Sequence, residues 1–584
     1  MKSLLKRNII IKSLLKINWI LPVKFKKQAI IVFSLLIFNS ILELVGLGAL
    51  VPLFLSILQP DAFDHGWLKY LFEFSGLDSS DKFIIALSCF ILAFIIFKNI
   101  VSIWIVRYQA KFSFSLFTYI TTQLQRYIYQ KGFLYFKSRN HNEISRDVNS
   151  IPMLFTQNVL LSMMALVMEL TVMFLIVIGI SIYDPMIMLI LAVIVVPVFT
   201  VFYLMVKNKI TTLVLEANDI QAETGKNLYQ SIFGYVDVMI NNNKEWFFTA
   251  YKKNVTRSSE IRTKQFTYNM MPPKVIETTM IFGILVIIGY GVLMLPSRED
   301  LVILLGVFAL AAYRILPSIN RMMMSLMNVK SYHFTLEIVE KSKHLEVEEE
   351  IEKELSFNKD IQIKNLCYQY PGKIDLVLKN ITVDVKKGQS IGFVGRSGSG
   401  KTTLINLLLG FIEPTKGQIL IDNTPLGKSY LVSWRKLIGY VQQEVFLIDG
   451  SLAENIALGY GEIDENRVME VVERASLKEL ISELPEGIYT QVGERGALIS
   501  GGQRQRVGIA RALYSGAKVL VFDEATSSLD NETEKEITKA INKLSGGDLT
   551  MFIIAHRHST LKYCDKIIEV TNGELVNHEP NEFV

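Results

Sequence analysis

The chain has 584 residues, of which 50% are hydrophobic and 20% are charged. This length allows two or more domains. The formal net charge of +5 is too small to indicate a nucleic-acid-binding protein. Three cysteines, Cys89, Cys367 and Cys564, lie far apart, so the sequence predicts neither a disulfide framework nor a cysteine metal site. All the long apolar runs precede residue 331, and the remainder has the mixed charge of a soluble domain.

The N-terminus is basic, with eight Lys or Arg residues in 1–28 and the first acidic residue at Glu43. A cleavable signal peptide has a small-residue cleavage site after a short apolar core, a pattern that this stretch lacks. Its mixture of basic and apolar residues instead predicts a helix that lies on the anionic cytoplasmic surface of a membrane.

Six apolar stretches precede residue 331, and crossing the hydrocarbon of a bilayer takes about 20 apolar residues. These predicted spans are 28–57, 83–107, 153–182, 185–206, 275–296 and 301–328. The long connections at 108–152 and 207–274 are rich in Lys and Arg. The positive-inside rule therefore places these connections and both termini in the cytoplasm.

The two long connections have the pattern of helices, with flexible loops as the alternative. Unstructured loops of this length are uncommon. We therefore expect the membrane helices to extend beyond the bilayer, with a short transverse helix at each hairpin tip, near 134–150 and 226–245. On the outer side, "WLKYLFEF" (67–74) predicts a short amphipathic helix.

The soluble half contains "IGFVGRSGSGKTTLINLLLG" (391–410), an apolar strand, a glycine-rich loop and an apolar helix. This is the context in which G-x-x-x-x-G-K-[ST] binds phosphate, because the glycines let backbone N–H groups surround the oxygens at a helix N-terminus. We expect Lys401 to neutralise the β- and γ-phosphates and the Thr402 hydroxyl to bind Mg²⁺. The candidate nucleotide-binding residues of this loop are Gly395, Arg396, Ser397, Gly398, Ser399, Gly400, Lys401, Thr402 and Thr403.

Three further motifs follow. "KVLVFDEATSSLD" (518–530) is a buried strand that ends in Asp523, a candidate Mg²⁺ ligand, and Glu524, which is placed to orient or deprotonate an attacking water. "ISGGQRQR" (499–506) opens a helix and exposes glycine N–H groups to an anion. "IIAHR" (553–557) supplies His556 directly after another apolar strand.

In this order, the motifs resemble the nucleotide-binding domain of ABC transporters from about 358 to 575. The resemblance implies ATP and Mg²⁺ as cofactors and Glu524 and His556 as catalytic residues. It also implies that Gln443 contacts Mg²⁺ and the attacking water, and that Tyr370 stacks on adenine, with Tyr368 as the alternative. Ile499 stands where the family usually has leucine. The signature residues that it implies for ATP binding are Ser500, Gly501, Gly502 and Gln503, together with Asp530 at the end of a loop that crosses to the partner.

Each chain has a single phosphate loop and a single "SGGQ" motif. In the family, ATP lies between the loop of one domain and the signature of another, so the resemblance implies two chains. A homodimer is expected, and a heterodimer with a related half-transporter stays open. The predicted fold is a six-span α-helical membrane domain (1–330), a linker (331–357) and an α/β P-loop ATP-binding domain (358–584). This arrangement resembles an ABC exporter half-transporter in a bacterial cytoplasmic (inner) membrane.

Cations in the spans indicate the substrate. Arg314 and Arg321 are seven residues apart, so they share a helix face about 10 Å apart along the axis, and Lys98 lies at a similar depth. The segment "ALAAYRILPSINRMMMS" (309–325) resembles the last span of flippases for lipid-linked oligosaccharides. We therefore predict that Lys98, Arg314 and Arg321 bind the diphosphate of a polyprenyl-diphosphate-linked saccharide. The protein would flip this substrate to the outer face, where the saccharide serves either protein glycosylation or another surface polymer.

Two alternatives stay open at this point. The first is structural: Glu43, Glu169 and Glu277 also lie in spans and could pair with these cations, and Arg321 could extend to the inner headgroups. The second concerns the substrate, because an exporter of lipid A, of a drug-like amphiphile or of a peptide has the same architecture. No nucleic-acid partner is expected, and membrane lipid surrounds the spans.

Overall fold

The structure is a computed structural model that divides into two compact units, Met1–Leu345 and Glu346–Val584. The residues that it describes are 9–50, 52–53, 66–77, 79–183, 185–294, 298–343, 352–459, 461–493, 496–524, 531–544, 547–555, 561–562 and 564–578.

Helices are the only regular secondary structure in the described residues of the N-terminal unit. Its first helices are α1 (Ile9–Ile20), α2 (Val23–Gly48), α3 (Gly66–Ser75), α4 (Ser80–Gln130) and α5 (Gly132–Ser138). A helical run follows as α6 (His141–Ser145), a π-helical turn (Arg146–Ser150), α7 (Ile151–Leu154), a second π-helical turn (Phe155–Leu160) and α8 (Leu161–Tyr183). The remaining helices are α9 (Pro185–Phe233), α10 (Tyr235–Ile240), α11 (Lys244–Met294), α12 (Arg298–Ser331) and α13 (Thr335–Glu340), with a short 3₁₀ turn at Lys341–Lys343.

Three helices are much longer than a bilayer requires. Helices α4 and α11 have 51 residues and α9 has 49. At 1.5 Å per residue each reaches about 75 Å, compared with a hydrocarbon thickness of about 30 Å. The predicted long connections are therefore continuations of the membrane helices. The short helices α5 and α10 lie at the two predicted hairpin tips, and α3 coincides with the predicted outer helix.

Five stretches of the described chain are long and apolar enough to cross a membrane. They begin at Val23, Ser80, His141, Met188 and Lys244. The sixth predicted span corresponds to α12. The helices begin earlier or end later than the apolar stretches on which the spans were predicted, because a helix continues through polar residues once it has left the hydrocarbon. Helix α2, for example, begins five residues before the predicted start at residue 28.

The start of the predicted linker is corrected by the structure. Leu336 and Val339 of α13 are fully buried in the apolar cluster that also contains Ile17 of α1 and Leu116 of α4. The side chain of Lys16 forms an ion pair of 2.7 Å with Glu340. Residues 331–343 are therefore folded onto the N-terminal unit, because α1, more than 300 residues earlier in the chain, supplies a partner for their apolar face.

The C-terminal unit alternates strands and helices. Its first elements are β1 (Asp360–Tyr368), β2 (Leu378–Lys386), β3 (Ser390–Val394), α14 (Lys401–Leu408), β4 (Lys416–Ile421), β5 (Thr424–Pro425), α15 (Leu431–Lys436) and β6 (Ile438–Val441). They are followed by α16 (Leu452–Ile456), α17 (Glu465–Arg474), α18 (Lys478–Glu483), α19 (Gly501–Tyr514), β7 (Val519–Asp523), α20 (Asn531–Leu544), β8 (Thr550–Ile554), β9 (Lys566–Thr571) and β10 (Glu574–His578).

Two sheets organise this unit. A six-stranded sheet has the order β10-β9-β3-β8-β7-β6, and a smaller sheet has the order β2-β1-β4-β5. In the larger sheet β3, β6, β7, β8 and β9 pair in parallel, and only the edge strand β10 is antiparallel among the described strands. Strands buried on both faces read as continuous apolar runs, which is why "VLVF" and "MFII" were recognisable. The helical membrane unit and the α/β unit agree with the predicted fold class.

Candidate functional site

The motifs of the soluble unit meet at one edge of the parallel sheet. The register pairs Phe393 of β3 and Asp523 of β7 with the same residue of β8, Ile554. The glycine-rich loop after β3 and the acidic pair at the end of β7 therefore lie at the same level. Ligands of open parallel sheets bind beyond the carboxyl ends of the strands, so this edge is the candidate site.

The loop between β3 and α14 has a backbone that requires glycine. Gly395 has φ +143°, and a Cβ added there would lie 2.4 Å from the carbonyl oxygen of Val570. Gly400, with φ +111°, is the N-cap of α14. Ser399 Oγ is buried and has no hydrogen-bond partner among the described residues. An unpartnered hydroxyl beside a helix N-terminus fits a site for phosphate oxygens. Arg396, Ser397 and Gly398 are exposed at the tip of the loop.

Lys401 is held inside this loop and is only 5% exposed. Its ammonium group donates hydrogen bonds to the carbonyl oxygens of Gly395 (2.7 Å) and Arg396 (3.1 Å). Burial lowers the pKa of Lys401, and the carboxylates of Glu524 and Asp523 oppose this shift. The cation therefore lies between the loop and the acidic pair, where it can contact a phosphate chain.

Thr402 and Thr403 have different environments in the first turn of α14. Thr402 is exposed, as a hydroxyl that binds a metal must be, whereas Thr403 is 7% exposed. The Thr403 hydroxyl lies 3.2 Å from Tyr370 Oη. Tyr368 is 3% exposed and its ring packs edge-on against that of Tyr370, at 5.0 Å. Of the two tyrosines, only Tyr370 has substantial accessible surface for a base.

Asp523 is half-buried and hydrogen-bonded. Tyr440, the third residue of β6, donates a hydrogen bond from its hydroxyl to Asp523 Oδ2 at 3.0 Å. Burial raises the pKa of Asp523 and the neighbouring Glu524 adds to this, whereas the hydrogen bond from Tyr440 and the charge of Lys401 lower it. Tyr440 therefore favours the ionised carboxylate that a Mg²⁺ ligand has to be. We did not predict Tyr440 from the sequence, although its place three residues before Gln443 in a buried strand was a usable signal.

Glu524 has a backbone conformation that is uncommon for its residue type. Its φ is +52°, and its N–H donates a hydrogen bond of 3.0 Å to the carbonyl of Ile554. Non-glycine residues with positive φ are a small minority, and they cluster at active sites. The conformation places a change in backbone direction immediately after the strand, which ends at Asp523.

The signature motif begins helix α19. Ser500 is its N-cap and forms a reciprocal capping box with Gln503: Ser500 Oγ accepts from the Gln503 N–H, and Gln503 Oε1 accepts from the Ser500 N–H. The N–H groups of Gly501 and Gly502 in the first turn are left for an anion.

A second side chain of α19 holds the Gln443 segment. Gln505 is 4% exposed, and its amide donates hydrogen bonds to the backbone carbonyls of Gln442 (3.1 Å) and Gln443 (2.5 Å). The Gln443 side chain is exposed. Gln505 was not predicted, because its partners come from a loop about sixty residues earlier. His556 and Asp530 lie outside the described residues, so their predicted roles stay predictions.

Mg²⁺ fits this edge through Thr402, Asp523 and Gln443. When bound, the ion supplies positive charge to phosphate oxygens. The exposed Thr402 hydroxyl and the carboxylate of Asp523, whose ionised form the Tyr440 hydrogen bond favours, are the kind of oxygen ligands that Mg²⁺ prefers.

The cations predicted in the spans form a second cluster. Arg314 forms an ion pair with Glu43 and lies 3.9 Å from Glu169, and Arg321 forms an ion pair with Glu169. Two of the three glutamates considered from the sequence therefore neutralise both arginines. The third, Glu277, pairs at 3.1 Å with a lysine of its own helix.

Lys98 has neither a hydrogen bond nor an ion pair within the part of the chain that the structure describes. Its side chain lies along Gly46 of α2, where an added Cβ would be 3.1 Å from Lys98 Cδ. Gly46 is one turn from Glu43, so Lys98 borders the arginine–glutamate cluster without pairing with it.

Residues 378–527 match the family described as ABC transporter. The chain is 42% identical over 219 residues to the ATP-dependent lipid A-core flippase of Bordetella avium (strain 197N), an alignment that covers 37% of each protein. It is 46% identical over 217 residues to the leukotoxin translocation ATP-binding protein LktB of Mannheimia glucosida, covering 37% of this chain and 30% of that protein. These alignments span only 30–37% of the length of these relatives.

In structure, the chain is similar to a bacterial Atm1-family ABC exporter with ATP bound. The TM-score is 0.76 with 19% sequence identity, over 95% of this chain and 96% of that one. This similarity shows the fold. The C-terminal unit therefore contains the ATP-binding domain of ABC transporters, and the chain has the fold of an ABC exporter half-transporter. The finer resemblance to flippases for lipid-linked oligosaccharides stays a prediction.

We expect the substitution Glu524→Gln to preserve ATP binding and to lower turnover by roughly a hundredfold or more, the usual effect of losing a general base. The amide keeps the shape of the side chain and removes its basicity. Phosphate release and nucleotide binding measured on the purified full chain test this. Lys401→Ala is the contrasting variant, because it should weaken nucleotide binding itself. Near-normal turnover in Glu524→Gln would refute the assignment.

The substitution Tyr440→Phe tests the hydrogen bond to Asp523. Without the hydroxyl, the pKa of Asp523 should rise further, so the carboxylate protonates at a higher pH. The acidic limb of the ATPase pH profile should then move to higher pH, and the Mg²⁺ concentration for half-maximal activity should rise. Tyr489→Phe, which removes a hydroxyl that bonds Glu465 at the surface, is the matched control. Superimposable acidic limbs in Tyr440→Phe and the native protein would exclude this role.

Proposed function

We propose that this chain, with the fold of an ABC exporter half-transporter, hydrolyses ATP to move a phosphate-bearing glycolipid from the inner to the outer face of a bacterial cytoplasmic membrane. The observation that carries this proposal is the convergence of the glycine-rich loop, Lys401, Asp523 and Glu524 at one sheet edge, in a chain whose other unit is a bundle of membrane-length helices. Both termini would then lie in the cytoplasm, in agreement with the basic connections.

ATP hydrolysis follows from the chemistry of that edge. Backbone N–H groups of the loop and the Lys401 ammonium neutralise the phosphates, which leaves Glu524 to orient and deprotonate the attacking water. Gln443 and His556 are proposed as partners of that water and of the γ-phosphate. Tyr370 supplies a partly exposed ring for the base, next to the first turn of α14.

A homodimer is the second part of the proposal. The single loop and the single signature per chain support it, because an ATP bound to the loop still needs the N–H groups of a signature helix. In this arrangement Ser500, Gly501, Gly502 and Gln503 of one chain contact the ATP held by the other, and Asp530 lies at the end of the loop that crosses between them.

The composite site can be tested by mixing two inactive chains. Chains with Ser500→Arg and chains with Lys401→Ala should each be inactive alone. A mixed dimer should regain one intact site and therefore about half of the native ATPase activity at most. Each variant mixed with itself is the control. Full activity of isolated monomers would contradict the shared site.

Two lipid classes share the chemistry that the cluster in the spans would recognise. A lipid of the lipid A type is supported by the relatives, since several are named ATP-dependent lipid A-core flippases. A polyprenyl-diphosphate-linked saccharide is supported by the spacing of Arg314 and Arg321 and the depth of Lys98. The pairing of both arginines with glutamates weakens the argument for a permanently cationic diphosphate site, so we place the lipid A type first.

Proteoliposomes distinguish these substrates. Lipid A, an undecaprenyl-diphosphate saccharide, a cationic drug and a peptide are supplied separately, and ATP-dependent translocation is measured. We expect phosphate-bearing lipids to be moved and to stimulate ATPase activity, with lipid A the stronger. Glu524→Gln protein is the control for ATP dependence. Transport of the drug or the peptide alone would overturn the proposed substrate class.

A further inference from the structure

The ion pairs within the membrane unit form a continuous polar seam between three helices. We define the seam as Glu43 of α2, Glu169 of α8, and Arg314 and Arg321 of α12. The apolar side chains around it include Val172, Ile176, Ala312 and Ile315. Charged groups at membrane depth are rare and most often functional. The seam is therefore a candidate functional site as well as a contact between helices.

The two arginines differ in accessibility. The side chain of Arg314 is 12% exposed and that of Arg321 is 44% exposed, whereas Glu169, which contacts both, is 1% exposed. The buried carboxylate of Glu169 thus neutralises the guanidinium of Arg321, which is partly exposed. Arginine has five N–H donors in a planar fork, so Arg321 can exchange one anion for another without moving its whole side chain.

The seam is also incompletely hydrogen-bonded. Glu169 Oε2 and Arg314 Nε are buried and have no hydrogen-bond partner among the described residues. The same holds for Ser318 Oγ, which lies one turn from Arg314, and for Asn39 Oδ1, which lies one turn from Glu43. Buried polar groups nearly always have a hydrogen-bond partner in native structures, so each exception needs an explanation. This pattern fits a set of charges that changes partners during the working cycle.

The four charged side chains of the seam have no net charge when all of them are ionised. Two carboxylates meet two guanidinium groups, and Lys98 adds one positive charge beside Gly46. A phosphate that enters therefore meets a site that is already neutralised, except for Lys98. Binding at Arg321 requires the phosphate to displace Glu169.

We propose that Glu169 is an internal competitor for the lipid phosphate: it occupies Arg321 until the phosphate replaces it, while Glu43 stays with the more buried Arg314. This inference rests on the proposed transport of a phosphate-bearing lipid. The exchange links substrate arrival to helix packing, because the Glu169–Arg321 ion pair between α8 and α12 forms only in the absence of phosphate, which leaves Glu169 with Arg314 alone. Lipids without phosphate have no group that can displace the carboxylate, so the seam also selects against them.

The test is phosphate-lipid binding by the full chain in phosphatidylcholine nanodiscs. The probes are lipid A and undecaprenyl diphosphate, with undecaprenol as the lipid without phosphate. Glu169→Gln should bind the phosphate lipids roughly tenfold more tightly than the native chain, equivalent to about 1.4 kcal/mol. Binding of undecaprenol should not change. Glu277→Gln, which removes an exposed carboxylate of the same unit, should leave all affinities unchanged.

A second comparison separates competition from a general electrostatic effect. In the Arg321→Ala background, Glu169→Gln should give no gain in affinity, because the group for which the anions compete is gone. Glu169→Asp keeps the charge on a shorter side chain and should give a smaller gain than Glu169→Gln. If Glu169→Gln does not fold, Glu169→Asp still tests the competition, because aspartate keeps a carboxylate in the seam.

The outcomes are distinguishable. If the native chain binds lipid A or undecaprenyl diphosphate but neither Glu169 variant binds it more tightly, Glu169 is a structural ion-pair partner and this inference is overturned. A gain that persists in Arg321→Ala also overturns it. If the native chain, with its ATPase activity intact, binds neither phosphate lipid, the proposed substrate class fails instead.

Discussion

The cost of placing charge and unpaired backbone in hydrocarbon constrains the whole membrane unit. A backbone N–H or C=O cannot be left unsatisfied in lipid, so every described segment at membrane depth is helical. The same constraint acts on side chains. Arg314 and Arg321 lie in α12, and insertion of such residues costs roughly 2.5–3.5 kcal/mol each at the centre of a span. The glutamates of α2 and α8 pair with these arginines and so offset part of that cost, which connects three helices distant in sequence in this structure.

The soluble unit has a different constraint, because its candidate site must bind negatively charged phosphates close to two carboxylates. The parallel sheet brings the required groups together, since the strands that carry site residues all end at the same edge. Lys401 separates the loop from the acidic pair. The hydrogen bond from Tyr440 favours the ionised form of Asp523 and so opposes the rise in the pKa of this carboxyl that its partial burial causes. Each unit therefore contains a partly buried charge paired with a side chain distant in sequence: Asp523 with Tyr440, and Arg321 with Glu169.

Much of the candidate ATP site could be proposed from the sequence because each of its features is local. A loop that needs positive φ at Gly395 and Gly400 must contain glycine there, and the strand before Asp523 is a continuous apolar run. Tyr440 and Gln505 could not be predicted in the same way. Their partners are Asp523, 83 residues later, and the Gln443 segment, 62 residues earlier, and the contact exists only after the strands have been ordered in the sheet.

In the membrane unit, the existence of the spans was predictable and their partners were not. The hydropathy of the sequence indicates which segments can cross a bilayer, but it does not indicate how far each helix continues beyond the hydrocarbon. The choice of Glu43 and Glu169 over Glu277 depends on how α2, α8 and α11 are rotated about their axes, which no local pattern fixes. The predicted linker at 331 failed to anticipate α13 for a similar reason, because the partner of Leu336 is α1 at the other end of the unit.

The position of Gln505 has a consequence for how two ATP molecules communicate. In the proposed dimer, the first turn of α19 contacts the ATP held by the partner. One turn further along, the Gln505 amide donates a hydrogen bond to the backbone carbonyl of Gln443. Gln443 is the residue proposed to contact the ATP held by its own chain. In that dimer, a single helix of 14 residues would therefore belong to both sites. A nucleotide that displaces the N-terminus of α19 would also move the Gln443 segment of the second site, and occupancy of the two sites would become cooperative without any contact between the nucleotides.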